Sequence, residues 1–108
     1  MNFIKYQNKA IKTAMYPESV KVLYPSLGLA GETGEVCEKI KKVYRDNNGI
    51  FTDEKKIEIT KEIGDVLWYL ASICNDLSIS MDDAASMNII KLASRKERGV
   101  LSGSGDNR

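Results

Sequence analysis

Two stretches of this sequence, Leu29–Ile40 (LAGETGEVCEKI) and Ile59–Leu70 (ITKEIGDVLWYL), repeat one pattern at an offset of thirty residues. Glu32-Thr33-Gly34-Glu35-Val36 lies over Glu62-Ile63-Gly64-Asp65-Val66. Apolar residues recur in both at three and four residues, the period of a helix with one buried face, and neither stretch alternates as a strand does. At about 100° per residue, Glu32 and Glu62 fall at the border of the apolar face, with Glu35 and Asp65 one step further round. Each helix therefore presents two acids at equivalent places. Antiparallel packing through those faces would make the four carboxylates converge.

Outward from this echo the helical period persists. A first helix is expected over Asn2–Ala14, with Phe3, Tyr6, Ala10, Ile11 and Ala14 on one stripe and Pro17 discouraging continuation. After a loop near Tyr16–Tyr24, the second helix is expected to open at Pro25 or Ser26 and to run to about Arg45, where Asp46-Asn47-Asn48-Gly49 breaks it. The third should start with Thr52 or Asp53 as cap and reach about Leu77. Ser80 followed by Asp83 reads as the cap of a fourth, ending near Glu97. The expected fold is all-α, a four-helix bundle type completed by homo-oligomerisation. Residues 1–98 form a single domain, and the Gly- and Ser-rich residues 99–108 form a flexible tail.

Composition bounds the chemistry. The 108 residues carry sixteen Lys and Arg against fifteen Asp and Glu, a net charge of +1, which argues against nucleic acid or an anionic membrane surface as partner. No apolar run approaches the roughly 20 residues needed to span a bilayer, and Lys and Gln interrupt Met1–Met15 where a signal peptide would be apolar. A cytoplasmic location is expected. Cys37 and Cys74 show no CxxC spacing and read as buried thiols. Histidine is absent, which removes the usual general base and the commonest transition-metal ligand.

Converging carboxylates repel one another and raise their own pKa values, so Glu32, Glu35, Glu62 and Asp65 call for a hard cation. Magnesium suits them, because it takes oxygen ligands and keeps open positions for substrate phosphates. Gly34 and Gly64, each costing a helix roughly 0.5–1 kcal/mol relative to Ala, suggest close approach of the two helices. Glu38 continues the three-residue spacing as an outer ligand or water-orienting base, or else is solvated. On the fourth helix Asn88, Lys91 and Arg95 form a stripe of donors suited to phosphate, with Asn88 able to read a sugar hydroxyl. Tyr69 lies on the carboxylate side and Trp68 on the other edge; either could stack on a base or pack in a core or interface.

These residues resemble the MazG-like nucleoside triphosphate pyrophosphohydrolases of the all-α type, whose hallmark is ExxE followed at a distance by ExxD. Here the pairs are Glu32-xx-Glu35 and Glu62-xx-Asp65, separated by 26 residues, with Asn88-xx-Lys91-Leu92-xx-Arg95 similar to the family's downstream substrate-binding segment. The likeness runs from about Leu27 to Arg95, and the ending Gly103–Arg108 also resembles short members. It implies a metal-bound bundle, homodimeric or homotetrameric, that cleaves a nucleoside triphosphate to monophosphate and pyrophosphate with magnesium, or manganese as substitute. It implies Asn88, Lys91 and Arg95 as substrate contacts; the residues themselves further suggest Glu35 or Glu38 as the group that orients water and Tyr69 as a substrate contact. A non-catalytic nucleotide- or metal-sensing module is the alternative from another class, and a purely structural helical module a third. A ferritin-like di-iron site is excluded by the missing histidines.

Overall fold

The computed structural model describes residues 1–108 and is all-helical: α1 (Phe3–Ala10), α2 (Leu23–Asn47), α3 (Asp53–Asp76) and α4 (Met81–Glu97), with no strand. Three of the four starts are fixed by side chains that satisfy first-turn N–H groups. The Asn2 side chain accepts from the Lys5 amide, Thr52 from Lys55 and Ser80 from Asp83. Asn48 and Gly49 take left-handed conformations and end α2, as Asn-Asn-Gly predicts.

Two boundaries differ from expectation. The first helix stops at Ala10 and tightens into a 3-10 turn over Ile11–Thr13. There the Ala10 carbonyl accepts from the Thr13 hydroxyl and the Trp68 indole, so side chains take the place of a continued helical ladder. The second helix begins at Leu23, which puts Pro25 in its first turn, where a missing N–H costs nothing.

A five-residue turn folds α3 back along α2, and these two long helices form the body of the molecule. At the C-terminal half of α3, Ala10, Ala71 and Met81 form a small core with Tyr6, Leu67, Trp68 and Cys74 packed around it. The Gln7 amide clamps α4 there, donating to the Ile79 carbonyl at 2.9 Å and accepting from the Met81 amide at 2.8 Å.

Only seven of the 108 residues are buried, and the radius of gyration is 16.7 Å, against about 13 Å for a compact domain of this length. Leu27, Ile57, Ile63, Met87, Ile89 and Ile90 are all exposed. A single copy is thus an open helical hairpin with α1 and α4 gathered at one end. Cys37, expected to be buried, is exposed, because the outer face of α2 has nothing packed on it; Cys74 is half-buried, and its thiol pKa is pushed up by burial. No helix is long and apolar enough to cross a membrane.

Candidate metal and phosphate site

The antiparallel register of α2 and α3 sets Glu32 against Glu62 and Asp65. One carboxylate oxygen from each lies within 4.8 Å of the others. Ligands of one octahedral magnesium ion stand about 2.9 Å apart when adjacent and about 4.2 Å when opposite, so side-chain adjustment brings these three oxygens within reach of one ion. Glu32 carries the electrostatic cost of this grouping. Partial burial pushes its pKa up first, then the charges of Asp65 and Glu62, a hydrogen bond with Glu62, and finally Glu35. A carboxylate so placed gains from a cation, and the donor set of three hard oxygens fits a divalent one.

The fourth acid is placed differently. Glu35 is exposed and close enough to raise the Glu32 pKa, yet it lies outside the three-residue group. Glu38 turns along its own helix to Lys41 at 2.9 Å, and that bond, with Lys42 and Arg45 nearby, holds its pKa low. Lys39, which the acid pattern does not single out, brings its ammonium to 4.0 Å from Glu62. It is the one cation of the chain beside the group.

The paired glycines do not mark the close approach expected of them. A Cβ at Gly34 or Gly64 would meet nothing within 4 Å. The tight contact is at Gly28, where a Cβ would sit 2.2 Å from the Tyr69 ring. Tyr69 therefore fills the α2–α3 seam, with Tyr24, Glu32 and Asp65 near enough, after burial itself, to raise its pKa. Trp68 lies edge-to-face on the Tyr69 ring, centroids 5.0 Å apart, and ties down the end of α1, donating to the Thr13 hydroxyl at 2.7 Å.

The donor stripe of α4 is not brought to the acids within one chain. Asn88 and Lys91 line a cleft with Ile79, Asp83, Ala84, Met87 and Asp106, and none of the grouped acids lines it. Lys91 donates to the Asp106 carboxylate at 2.7 Å and Arg95 at 3.1 Å. Residues 99–108 contain no helix, in keeping with their glycines, but they are folded onto α4 where a free tail was expected.

Asp76, another residue the sequence did not mark, organises the entry to α2. Its carboxylate accepts from the Tyr16 hydroxyl at 2.7 Å and from the Val22 amide at 2.9 Å. Burial and that bond push the Tyr16 pKa up to about 12. Val22 itself has φ 65° and ψ −51°, a γ-turn closed by the Leu23 amide on the Lys21 carbonyl at 2.7 Å. A β-branched residue there is strained. No spacing signals such a pairing across 54 residues.

Glu32, Glu62 and Asp65 thus present carboxylates to a shared point on an α-helical hairpin, a grouping that could hold a metal ion. Residues 24–100 match the MazG nucleotide pyrophosphohydrolase domain, and the chain belongs to that family. It is also 44% identical, over 109 aligned positions, to the "Gene 37 protein" of Mycobacterium phage L5, covering 95% of this chain and 96% of that protein, whose name states no activity. No solved structure matches it.

Proposed function

We propose that this protein hydrolyses a canonical or modified (deoxy)nucleoside triphosphate to the monophosphate and pyrophosphate, cleaning the cytoplasmic nucleotide pool. The observation that carries the reading is the grouping of Glu32, Glu62 and Asp65 across two antiparallel helices in a chain of the MazG nucleotide pyrophosphohydrolase family. Those three residues, with Glu35 at the rim, are the ligands for magnesium or manganese, which when bound supplies charge neutralisation and a more acidic water.

The residues then divide the work. Glu35 orients the attacking water and accepts its proton, a role that suits it better than Glu38, whose carboxylate is held by Lys41. Lys91 and Arg95 hold the distal phosphates, Asn88 the sugar, and Tyr69 borders the base from the helix seam. No side-chain nucleophile is required, and no covalent intermediate forms.

A second copy completes the assembly as a homodimer or homotetramer. Support comes from the exposed apolar residues of α2, α3 and α4, and from the distance in sequence and fold between the donor stripe and the acids. An isologous partner would set its own α4 against these acids. Light scattering that finds an active monomer at micromolar concentration would overturn this part alone.

The deciding experiment incubates the protein with a nucleotide panel and magnesium and assays pyrophosphate. Release of pyrophosphate and monophosphate in equal amounts is expected, with oxygen-18 from solvent water entering the monophosphate. Diphosphate and orthophosphate as products would overturn the reaction class. Binding without turnover would favour a nucleotide sensor.

A further inference from the structure

Residues 99–108 are folded around one arginine. Arg108 donates from Nε to the Val100 carbonyl at 3.1 Å, from Nη1 to Gly105 at 2.6 Å and from Nη2 to Leu101 at 2.8 Å. Its own carbonyl accepts from Arg98 at 2.8 Å. Gly103 and Gly105, at φ 122° and 87°, supply the left-handed backbone that this closed loop needs. The loop thereby presents one acid, Asp106, to two cations of α4, Lys91 and Arg95.

The two sides of that contact are unlike. Arg95 is 5% exposed, and its Nε is buried without an acceptor, whereas the Asp106 side chain is 76% exposed. A buried guanidinium needs an anion, and an exposed carboxylate loses little by returning to water. The carboxylate takes a bond from Lys91 and one from Arg95, whose Nη2 also donates to the Asp106 backbone carbonyl, leaving part of the Arg95 donor set unused. A terminal phosphate offers three oxygens and more charge to the same donors.

We infer that the C-terminal loop is a built-in competitor for polyphosphate: Asp106 occupies the anion subsite of Lys91 and Arg95, and substrate or pyrophosphate must displace it. The inference rests on the reading of Lys91 and Arg95 as phosphate ligands. Tethered a few residues away, the carboxylate acts at an effective concentration of order millimolar, so it raises the apparent Kd of every anion that uses the subsite without touching the chemical step. The loop thus tunes affinity, and product pyrophosphate leaves more readily because Asp106 returns.

The test uses the full chain and inorganic pyrophosphate as probe, titrated by calorimetry into the wild type, Asp106→Asn and Asp106→Glu, with circular dichroism confirming the fold. Asp106→Asn should tighten pyrophosphate binding by about tenfold and lower KM for triphosphate by a similar factor, with kcat changed less than about twofold. Asp106→Glu, which keeps the charge, should behave as wild type. Adding Lys91→Met to Asp106→Asn should cancel the gain. Unchanged or weaker pyrophosphate binding by Asp106→Asn in a protein that still turns over triphosphate would overturn the inference and leave the reaction standing. Tighter binding in a protein that releases no pyrophosphate would do the reverse.

Discussion

The α2–α3 hairpin and α4 carry the two halves of the proposed chemistry in opposite electrostatic conditions. Glu32, Glu62 and Asp65 crowd together with only Lys39 beside them, and Glu32 is pushed towards its neutral form. On α4, by contrast, Lys91 and Arg95 already hold a carboxylate, and Asp106 is driven towards its charged form by its hydrogen bonds to Lys91 and Arg95 and by their charge. The hairpin acids have only the distant Lys39, 4.0 Å from Glu62, as counter-ion, whereas the cations of the fourth helix hold a carboxylate in close contact. A cation should therefore stabilise the first region, and an anion should have to compete at the second.

The comparison breaks most decisively at the acids. Asp65→Asn should lower kcat/KM by more than about 100-fold, since removing even an outer partner of a metal ligand typically costs 10–100-fold. The metal-free fold should keep its melting temperature, because the change relieves repulsion on Glu32. Near-native turnover would end the assignment. Glu35→Gln should cost kcat about 100-fold or more if Glu35 acts on water. Glu38→Gln should stay within a few-fold, its partner being Lys41. Equal effects would return the choice between them to open ground.

The glycines sharpen the contrast between the packed and open sides of the hairpin. Gly28→Ala places a methyl on the Tyr69 ring and should cost about 1–3 kcal/mol in denaturant unfolding. Gly34→Ala meets nothing in one chain and should stabilise an isolated copy by about 0.5–1 kcal/mol. If Gly34→Ala instead destabilises, or dissociates an oligomer, its open side is where the second copy docks.

How much of this was legible in the sequence follows from how local each signal is. The caps Thr52 and Ser80 and the Asn48-Gly49 stop act within one turn of the backbone, so the ends they fix are where the chain announces them. Glu32, Glu62 and Asp65 were legible because helical phase carries a residue to a face wherever its helix packs. What phase does not carry is distance along the seam, which is why Glu35 falls outside the group. Nor does it carry the partner of a glycine: the cost of Gly34 and Gly64 was visible, but the close approach belongs to Gly28, identified only by Tyr69 on the facing helix. The Asp106 contacts span 11 and 15 residues through a loop whose shape depends on Arg108, and no periodicity encodes them.

The smallest expected effect concerns pH and tests the hairpin's side of the contrast. Glu32 has its folded pKa raised above the ordinary glutamate value, so the metal-free fold binds a proton there more readily than the unfolded chain does. Its contribution to stability is fully present below the unfolded glutamate pKa and is lost as pH rises through the folded one. Asp106, Glu38 and Asp46, whose pKa values are lowered, act with the opposite sign, and the whole-protein profile mixes the two. The difference between wild type and Glu32→Gln removes that background. In metal-free buffer, wild type should lose stability relative to Glu32→Gln as pH rises from the acid side to neutrality, by no more than a few degrees in Tm. Added magnesium should reverse the order at neutral pH, since ionised Glu32 is then a ligand and the glutamine is a poorer one. It should do little where Glu32 is protonated. A magnesium shift of equal size at both pH values and in both proteins would mean that the cation binds elsewhere, and that the raised pKa of Glu32 reflects crowding alone.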